Sequence, residues 1–410
     1  MKKIISKHAT LAARGRDLTI AGVGASAGAL DSFKKFFSTM PVDSSVAFVL
    51  IQHLDPTHES HAAELVGAYT RMQVTQVADG MRVEPNCVYI IPPNKYLSIR
   101  RGVLHLSPPS EPRSLRMAID FFFRSLAADR KERAIGVILS GTGSDGTLGM
   151  KEIKAAGGLT MAQTPATAQH SGMPSSAIAS GSVDCILPVE QLAKPLVAFV
   201  QHPYISLAGD HPAPETFPDS LASVVALLHI RTKFDFSGYK TGTLRRRIGR
   251  RMSLRQIDRA EAYIELLRSD PGELNALHRD LLIHVTSFFR DPAAWKVLQE
   301  RVVRPLVAAA DPLAPLRAWV PACATGEEAY SLTILLLEEL QAAKKSCPLQ
   351  VFASDVASEG LEAARTGIYP EGIAAHVSPE RLQQFFTRVD RSYQVRKELR
   401  DVLVFAPQNI

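Results

Sequence analysis

Cysteine is scarce in this sequence of 410 residues: Cys87, Cys185, Cys323 and Cys347 stand far apart, and no two form a C-x-x-C pair. That spacing argues against a disulfide framework and against a structural zinc site, so the thiols are read as reduced. Long hydrophobic runs are missing too. The longest, 46–51 (VAFVLI) and 222–228 (ASVVALL), fall far short of the roughly 18–20 residues that cross a bilayer, and no transmembrane helix is expected. Near the N-terminus Ser6, Lys7, His8 and the stretch 14–17 interrupt any apolar core, which leaves no secretion signal and makes the cytoplasm the expected address. Charge of one sign is not in great excess: 47 basic against 41 acidic side chains give +6, a balance that suits an acidic partner without demanding nucleic acid. What is present, 46% hydrophobic and 21% charged residues, excludes disorder and fibrous repeats and indicates a globular chain of two or three domains.

The first half repeats a β-branched run, a polar or glycine-rich turn and a helical stretch. Strands are expected at 18–23, 46–52, 87–91 and 134–140, with helices at 33–40, 118–128 and 148–156. Such alternation predicts an α/β fold with a parallel, doubly wound sheet. Residues 88–106, with Pro92-Pro93-Asn94 and Arg101-Gly102, read as a β-hairpin insertion. We expect an N-terminal tail (1–17), a catalytic α/β domain (18–200), a Pro-rich linker (201–218), a small all-α unit (219–300) and a second, partial Rossmann-like sheet (301–410), with strands at 316–321, 349–354 and 402–406.

Gly24-Ala25-Ser26-Ala27-Gly28 follows the first strand and opens a helix, which fits a G-x-S-x-G turn that lifts a serine to the sheet edge. The same glycines also read as a variant dinucleotide fingerprint. That rival expects an acidic residue at the end of the second strand, where His53 stands instead. A second glycine-rich turn, 141–146 (GTGSDG), has a carboxylate at its centre that a phosphate would repel. Ser26, His53 and Asp145 each follow a predicted parallel strand. They form the minimum set for acyl transfer: a nucleophile, an imidazole to take its proton, and a carboxylate to orient the imidazole. The plain alternative is a set of glycine turns with a satisfied edge histidine. His58-Glu59-Ser60-His61 is one residue short of the H-E-x-x-H spacing, and no metal site is expected.

GVGASAGAL (22–30), VLIQHLDP (49–56), LSGTGSDGTLGM (139–150) and AQTPATAQHSGMPSSAIASGSVDCILP (162–188) together resemble the catalytic domain of CheB-type chemotaxis methylesterases. The resemblance implies Ser26 as nucleophile, His53 as base and then acid, Asp145 as orienting carboxylate, and the backbone amides of Ala27 and Thr142 as oxyanion donors. No cofactor is implied for this reaction. The substrate it implies is the γ-glutamyl methyl ester on cytoplasmic helices of methyl-accepting chemoreceptors, released as methanol; some members also deamidate glutamine there. Family members commonly carry an N-terminal phosphorylatable receiver, for which the residues before 18 leave no room, so phosphorylation of this chain is not expected. Any association with membrane would run through the receptors.

In the helical unit, 240–252 (KTGTLRRRIGRRM) concentrates the basic excess on one helix. A solvated basic face is the plain reading. A nucleic-acid patch lacks aromatic residues and a known recognition fold. With VTSFFRDP (285–292), LRAWVPACATGEEAYS (316–331) and FASD (352–355), this region resembles CheR-type receptor methyltransferases, which use S-adenosylmethionine. The resemblance implies Thr286 and Arg290 near the cofactor or the incoming carboxylate, Glu328 near the methionyl amine and Asp355 on the ribose. Arg245, Arg246, Arg247, Arg250 and Arg251 would then face acidic receptor helices. Only three strands of the second sheet precede Ile410, so the transferase is expected to be truncated and impaired. Two rival functions stay open: a docking module with relic catalytic folds, and a nicotinamide-dependent oxidoreductase using the 22–28 turn.

Overall fold

The computed structural model describes residues 18–52, 62–109, 116–206, 218–283 and 285–409. The chain divides into two compact units, Met1–Ile283 and His284–Ile410. No helix among the described residues is long and apolar enough to cross a membrane.

The first unit begins with ten strands: β1 (Thr19–Ala25), β2 (Val46–Gln52), β3 (Gln73–Gln76), β4 (Met81–Arg82), β5 (Cys87–Ile90), β6 (Tyr96–Arg100), β7 (Val103–Ser107), β8 (Ala134–Ile138), β9 (Leu159–Gln163) and β10 (Cys185–Leu187). Seven of them form a parallel sheet in the order β10-β9-β8-β1-β2-β5-β3, while β4, β7 and β6 make the expected hairpin-based insertion as a small antiparallel sheet. β1 and β8 are buried along their whole length, which is why they read as near-continuous apolar runs rather than alternating ones. Helices cover both faces. On one lie α1 (Ala29–Thr39) and, near the end of the domain, Ala193–Gln201, contributing Phe33, Phe36, Leu196 and Phe199. On the other lie α2 (Ala118–Arg130), α3 (Thr147–Ala156) and α4 (Gly172–Ala179), contributing Ile119, Phe122, Phe123, Met150 and Met173. Gly24 decides how close α2 comes, because a Cβ there would lie 2.6 Å from the Ile119 side chain. The start of α2 is thereby set against the end of β1.

Four helices follow: α5 (Pro218–Thr232), α6 (Thr241–Leu254), α7 (Ala260–Ser269) and α8 (Pro271–Leu281). Asp270 accepts the amides of Gly272 (2.8 Å) and Glu273 (3.2 Å), and Pro271 occupies the first helical position, so α8 starts where its sequence dictates. These helices belong to the same compact unit as the sheet. The expected linker is correspondingly shorter than 201–218. Pro203–Ser206 is helical, Ile205 is buried, and His202 Nε2 lies 3.1 Å from the Ile257 carbonyl; residues 207–217 are outside the described set.

The second unit starts at residue 284 rather than 301. It holds a parallel sheet β11 (Leu316–Pro321), β12 (Leu349–Asp355) and β16 (Leu403–Pro407) in the order β11-β12-β16, with α9 (Glu327–Ala342) after β11 and α10 (Ser358–Thr366) after β12. A three-stranded antiparallel sheet of β13 (Ile368–Pro370), β14 (Phe386–Val389) and β15 (Ser392–Val395) interrupts it, which the sequence reading missed. One face of the parallel sheet packs into the core through Val320, Val351, Ala353 and Leu403. The other face is open: Trp319, Phe352 and Val404 are register neighbours, and all three are exposed.

Candidate functional site

Ser26 follows directly on β1 and is half-exposed at the C-terminal edge of the sheet. Its amide donates to the Ser140 carbonyl (3.0 Å), and its own carbonyl accepts from Ala29 as α1 begins. Gly28 adopts φ 77, where a Cβ would collide with Ser140 Oγ (2.8 Å), so only glycine closes this turn without strain. The second glycine turn lies against the first: a Cβ on Gly141 would be 3.1 Å from Ser26 Cβ and 2.2 Å from Met173 Sδ. Ser140 ties three segments together. Its hydroxyl donates to the Ala27 carbonyl (2.9 Å) and accepts from the His170 amide (3.0 Å), and its amide donates to Gln163 Oε1 (2.9 Å). The turn that carries Ser26 is therefore braced by polar groups that the sequence motifs did not single out.

Asp145 is buried at the end of the second glycine turn. Its Oδ2 accepts the Ile119 amide and its Oδ1 the Asp120 amide, both at 2.9 Å, so it caps the start of α2. Among the described residues, neither the Ala27 nor the Thr142 amide has an acceptor. β2 ends at Gln52, the register partner of Ala25. His53 and the 58–61 stretch (HESH) lie outside the described residues.

In the second unit, Asp355 ends β12, buried, with Oδ2 accepting the Ala324 amide and Oδ1 the Ala357 amide, each at 2.8 Å. Ala322, Ala324 and Gly326 all have positive φ, so the turn after β11 curls its backbone tightly around this carboxylate. Glu328 is exposed on α9, whereas its neighbour Glu327 is buried and accepts the Thr325 hydroxyl at 2.6 Å. Thr286 is half-buried; Arg290 is exposed and donates to the Val285 carbonyl.

The basic helix needs correction. Arg250 is fully buried, paired with Asp184 and with Asp280 (2.6 Å), and its Nε donates to the Gly158 carbonyl. Arg247 donates to the carbonyls of Lys154 and Ala155 at the end of α3, both at 2.8 Å. Arg251 pairs with the buried Glu273. These three side chains are spent inside the protein and cannot face a partner, because α6 docks onto the N-terminal edge of the seven-stranded sheet. Burial opposes the charge of Asp184, yet Arg250 and Lys154 hold its carboxyl down at about 2. Arg245 and Arg246 stay half-exposed, with Glu132 4.0 Å from Arg246.

Three family models match the chain: CheB methylesterase over residues 21–196, the CheR methyltransferase all-alpha domain over 219–282, and the CheR methyltransferase SAM binding domain over 284–410. The chain joins CheB and CheR domains in one polypeptide. A Rhodobacter capsulatus protein described as an uncharacterized 104.1 kDa protein in the hypE 3' region is 39% identical over 85% of this chain and 39% of its own length. A protein-glutamate methylesterase/protein-glutamine glutaminase of Burkholderia orbicola is 36% identical over 44% of this chain and 53% of its own. The Thermotoga maritima CheB methylesterase catalytic domain is 30% identical, covering 44% of this chain and 97% of that one, with a TM-score of 0.42. The CheB–CheR chain thus spans from about two fifths to about half the length of the curated relatives named here.

Proposed function

We propose that the first unit hydrolyses glutamate γ-methyl esters on the helices of methyl-accepting chemoreceptors, with deamidation of glutamine at the same sites as a second outcome. The observation that carries this reading is the placement of Ser26, half-exposed at the end of β1, against a glycine turn whose Asp145 is buried and held by two amides. Ser26 Oγ attacks the ester carbonyl as His53 takes its proton. The negative oxygen forms near the Ala27 and Thr142 amides, which carry no other acceptor among the described residues. His53 returns the proton to the departing methoxide, methanol leaves, and water cleaves the acyl-enzyme by the same route in reverse. Asp145 holds the imidazole in the productive tautomer. Substituting Ser26→Ala should lower methanol release from a methyl-esterified receptor helix by about a thousandfold or more. An unchanged rate in that variant, or in His53→Ala, overturns the assignment and favours a docking role.

For the second unit we propose transfer of a methyl group to receptor glutamates. A small-residue turn that brings backbone close, backed by the Asp355 carboxylate at a strand end, suits the ribose of a nucleoside. S-adenosylmethionine would supply the electrophilic methyl group. Asp355 would hold the ribose, Glu328 the methionyl amine, and Thr286 with Arg290 the receptor carboxylate. Titration calorimetry with S-adenosylmethionine tests this, with heat lost in Asp355→Ala as the supporting result. Of the basic helix, Arg245 and Arg246 remain as receptor-facing residues.

A further inference from the structure

The starts of α2 and α3 are capped by each other's neighbours. Neither helix has a cap from its own N-cap side chain. Asp145, two residues before α3, accepts the Ile119 and Asp120 amides of α2. Asp120, in the first turn of α2, returns the contact: its Oδ1 accepts the Gly149 amide of α3 at 2.6 Å. Both side chains are 2% exposed. Moving either carboxylate therefore moves the helix end that holds the other.

This arrangement is costly to build. Two carboxylates are taken out of water side by side, and the Asp120 Oδ2 atom is buried without a hydrogen-bond partner among the described residues. Burial, and then the charge of Asp145, push the Asp120 carboxyl up to about 7, with only partial relief from Arg124 one turn along α2. An asparagine would keep the acceptor for the Gly149 amide without a second buried acid, so what the position supplies is the bond that ties the two helix starts together.

We propose that Asp120 is a positioning residue of the esterase reaction, acting through the crossed caps that fix where the Asp145 carboxylate sits relative to Ser26. The proposal rests on Asp145 being the orienting member of the triad. Asp120 reaches the chemistry only through Asp145, since its own oxygens face the amides of α3 and the buried space between the two helix ends.

The test is a double-mutant cycle on the full chain, reading kcat and KM for methanol release from a helical peptide bearing glutamate γ-methyl esters. Asp120→Ala should lower kcat about tenfold or more at unchanged KM, because the base is misaligned while substrate binding is untouched. In an Asp145→Asn background the same change should cost less than about twofold, since the residue it acts through is already disabled. Asp120→Asn, which keeps the acceptor for Gly149, should restore kcat to within about threefold of the parent. That variant decides the matter if the alanine protein fails to fold. Losses that multiply in the double mutant, a change confined to KM, or an asparagine variant that folds and is as slow as the alanine one each overturn the proposal. Failure of the esterase reading is separate: the parent chain would then release no Ser26-dependent methanol at all.

Discussion

Asp120 and Asp184 are buried carboxylates of one domain, placed at opposite edges of its sheet, and burial opposes the charge of both. At the C-terminal edge burial and then the Asp145 carboxylate act on Asp120, and its carboxyl rises to about 7; at the N-terminal edge Arg250 and Lys154 surround Asp184, and its carboxyl falls to about 2. Desolvation is common to both, so the sign is set by the neighbour. The edge where Ser26 stands concentrates like charge held by helix amides. The far edge neutralises its charge and serves attachment: Asp184 from the sheet and Asp280 from α8 close on one arginine of α6.

The largest way to break this contrast is Arg250→Ala. It leaves Asp184 and Asp280 sharing Lys154, 3.4 and 3.8 Å away, in place of the arginine that bonds both, and removal of one partner from a buried pair costs about 3–5 kcal/mol. Urea unfolding should show that loss, while kcat of the folded fraction for methanol release stays at the parent value because the change is at the other edge. A loss below about 1 kcal/mol would reduce the cluster to the rank of a surface pair.

The next effect sharpens the contrast through pH. Asp120 has a raised folded value, so its contribution to stability is full below about 4 and is lost as pH rises through about 7. Asp184 has a depressed folded value, so its contribution is present above about 4 and is lost as pH falls toward 2. Thermal unfolding of Asp120→Asn should therefore be flatter than the parent between pH 4 and 8, and that of Asp184→Asn flatter between pH 4 and 2. Parallel slopes in the two variants would remove the distinction.

The smallest effect is expected from Thr142→Val. The side chain is exposed, and the group assigned to the oxyanion is its backbone amide. Methanol release should stay within about twofold, whereas a tenfold loss would bring the hydroxyl into the reaction.

Sequence patterns revealed the ends of a buried parallel strand well, because it is an apolar run with an abrupt polar stop: β2 begins and ends where its run does. Glycine turns after such strands marked Ser26 and Asp145 as candidates. Asp120 stayed hidden, since its place in AIDFFF reads as the polar face of an amphipathic helix; its burial depends on a glycine turn that lies 25 residues away in sequence from its amide. A lone acid flanked by Ile119 and Phe121–Phe123 was the available signal. Arg250 misled for the complementary reason. Helical spacing separates Leu244, Ile248 and Met252 from the arginines but says nothing of a second surface that covers the charged side as well. β13 to β15 escaped because each spans only three or four residues and alternation needs a longer run.

The open face of β11, β12 and β16 has a consequence for spectroscopy. The chain has two tryptophans, Trp295 and Trp319, and both fall in the second unit. Intrinsic emission excited at the red edge of the protein band thus comes from the CheR region alone, with the CheB region optically silent. Trp319 is 52% exposed and its indole N–H is anchored to Ser354. Water around it places its emission toward the red, and any surface that comes to lie on Trp319, Phe352 and Val404 will shift that emission to the blue, a signal that needs no added label.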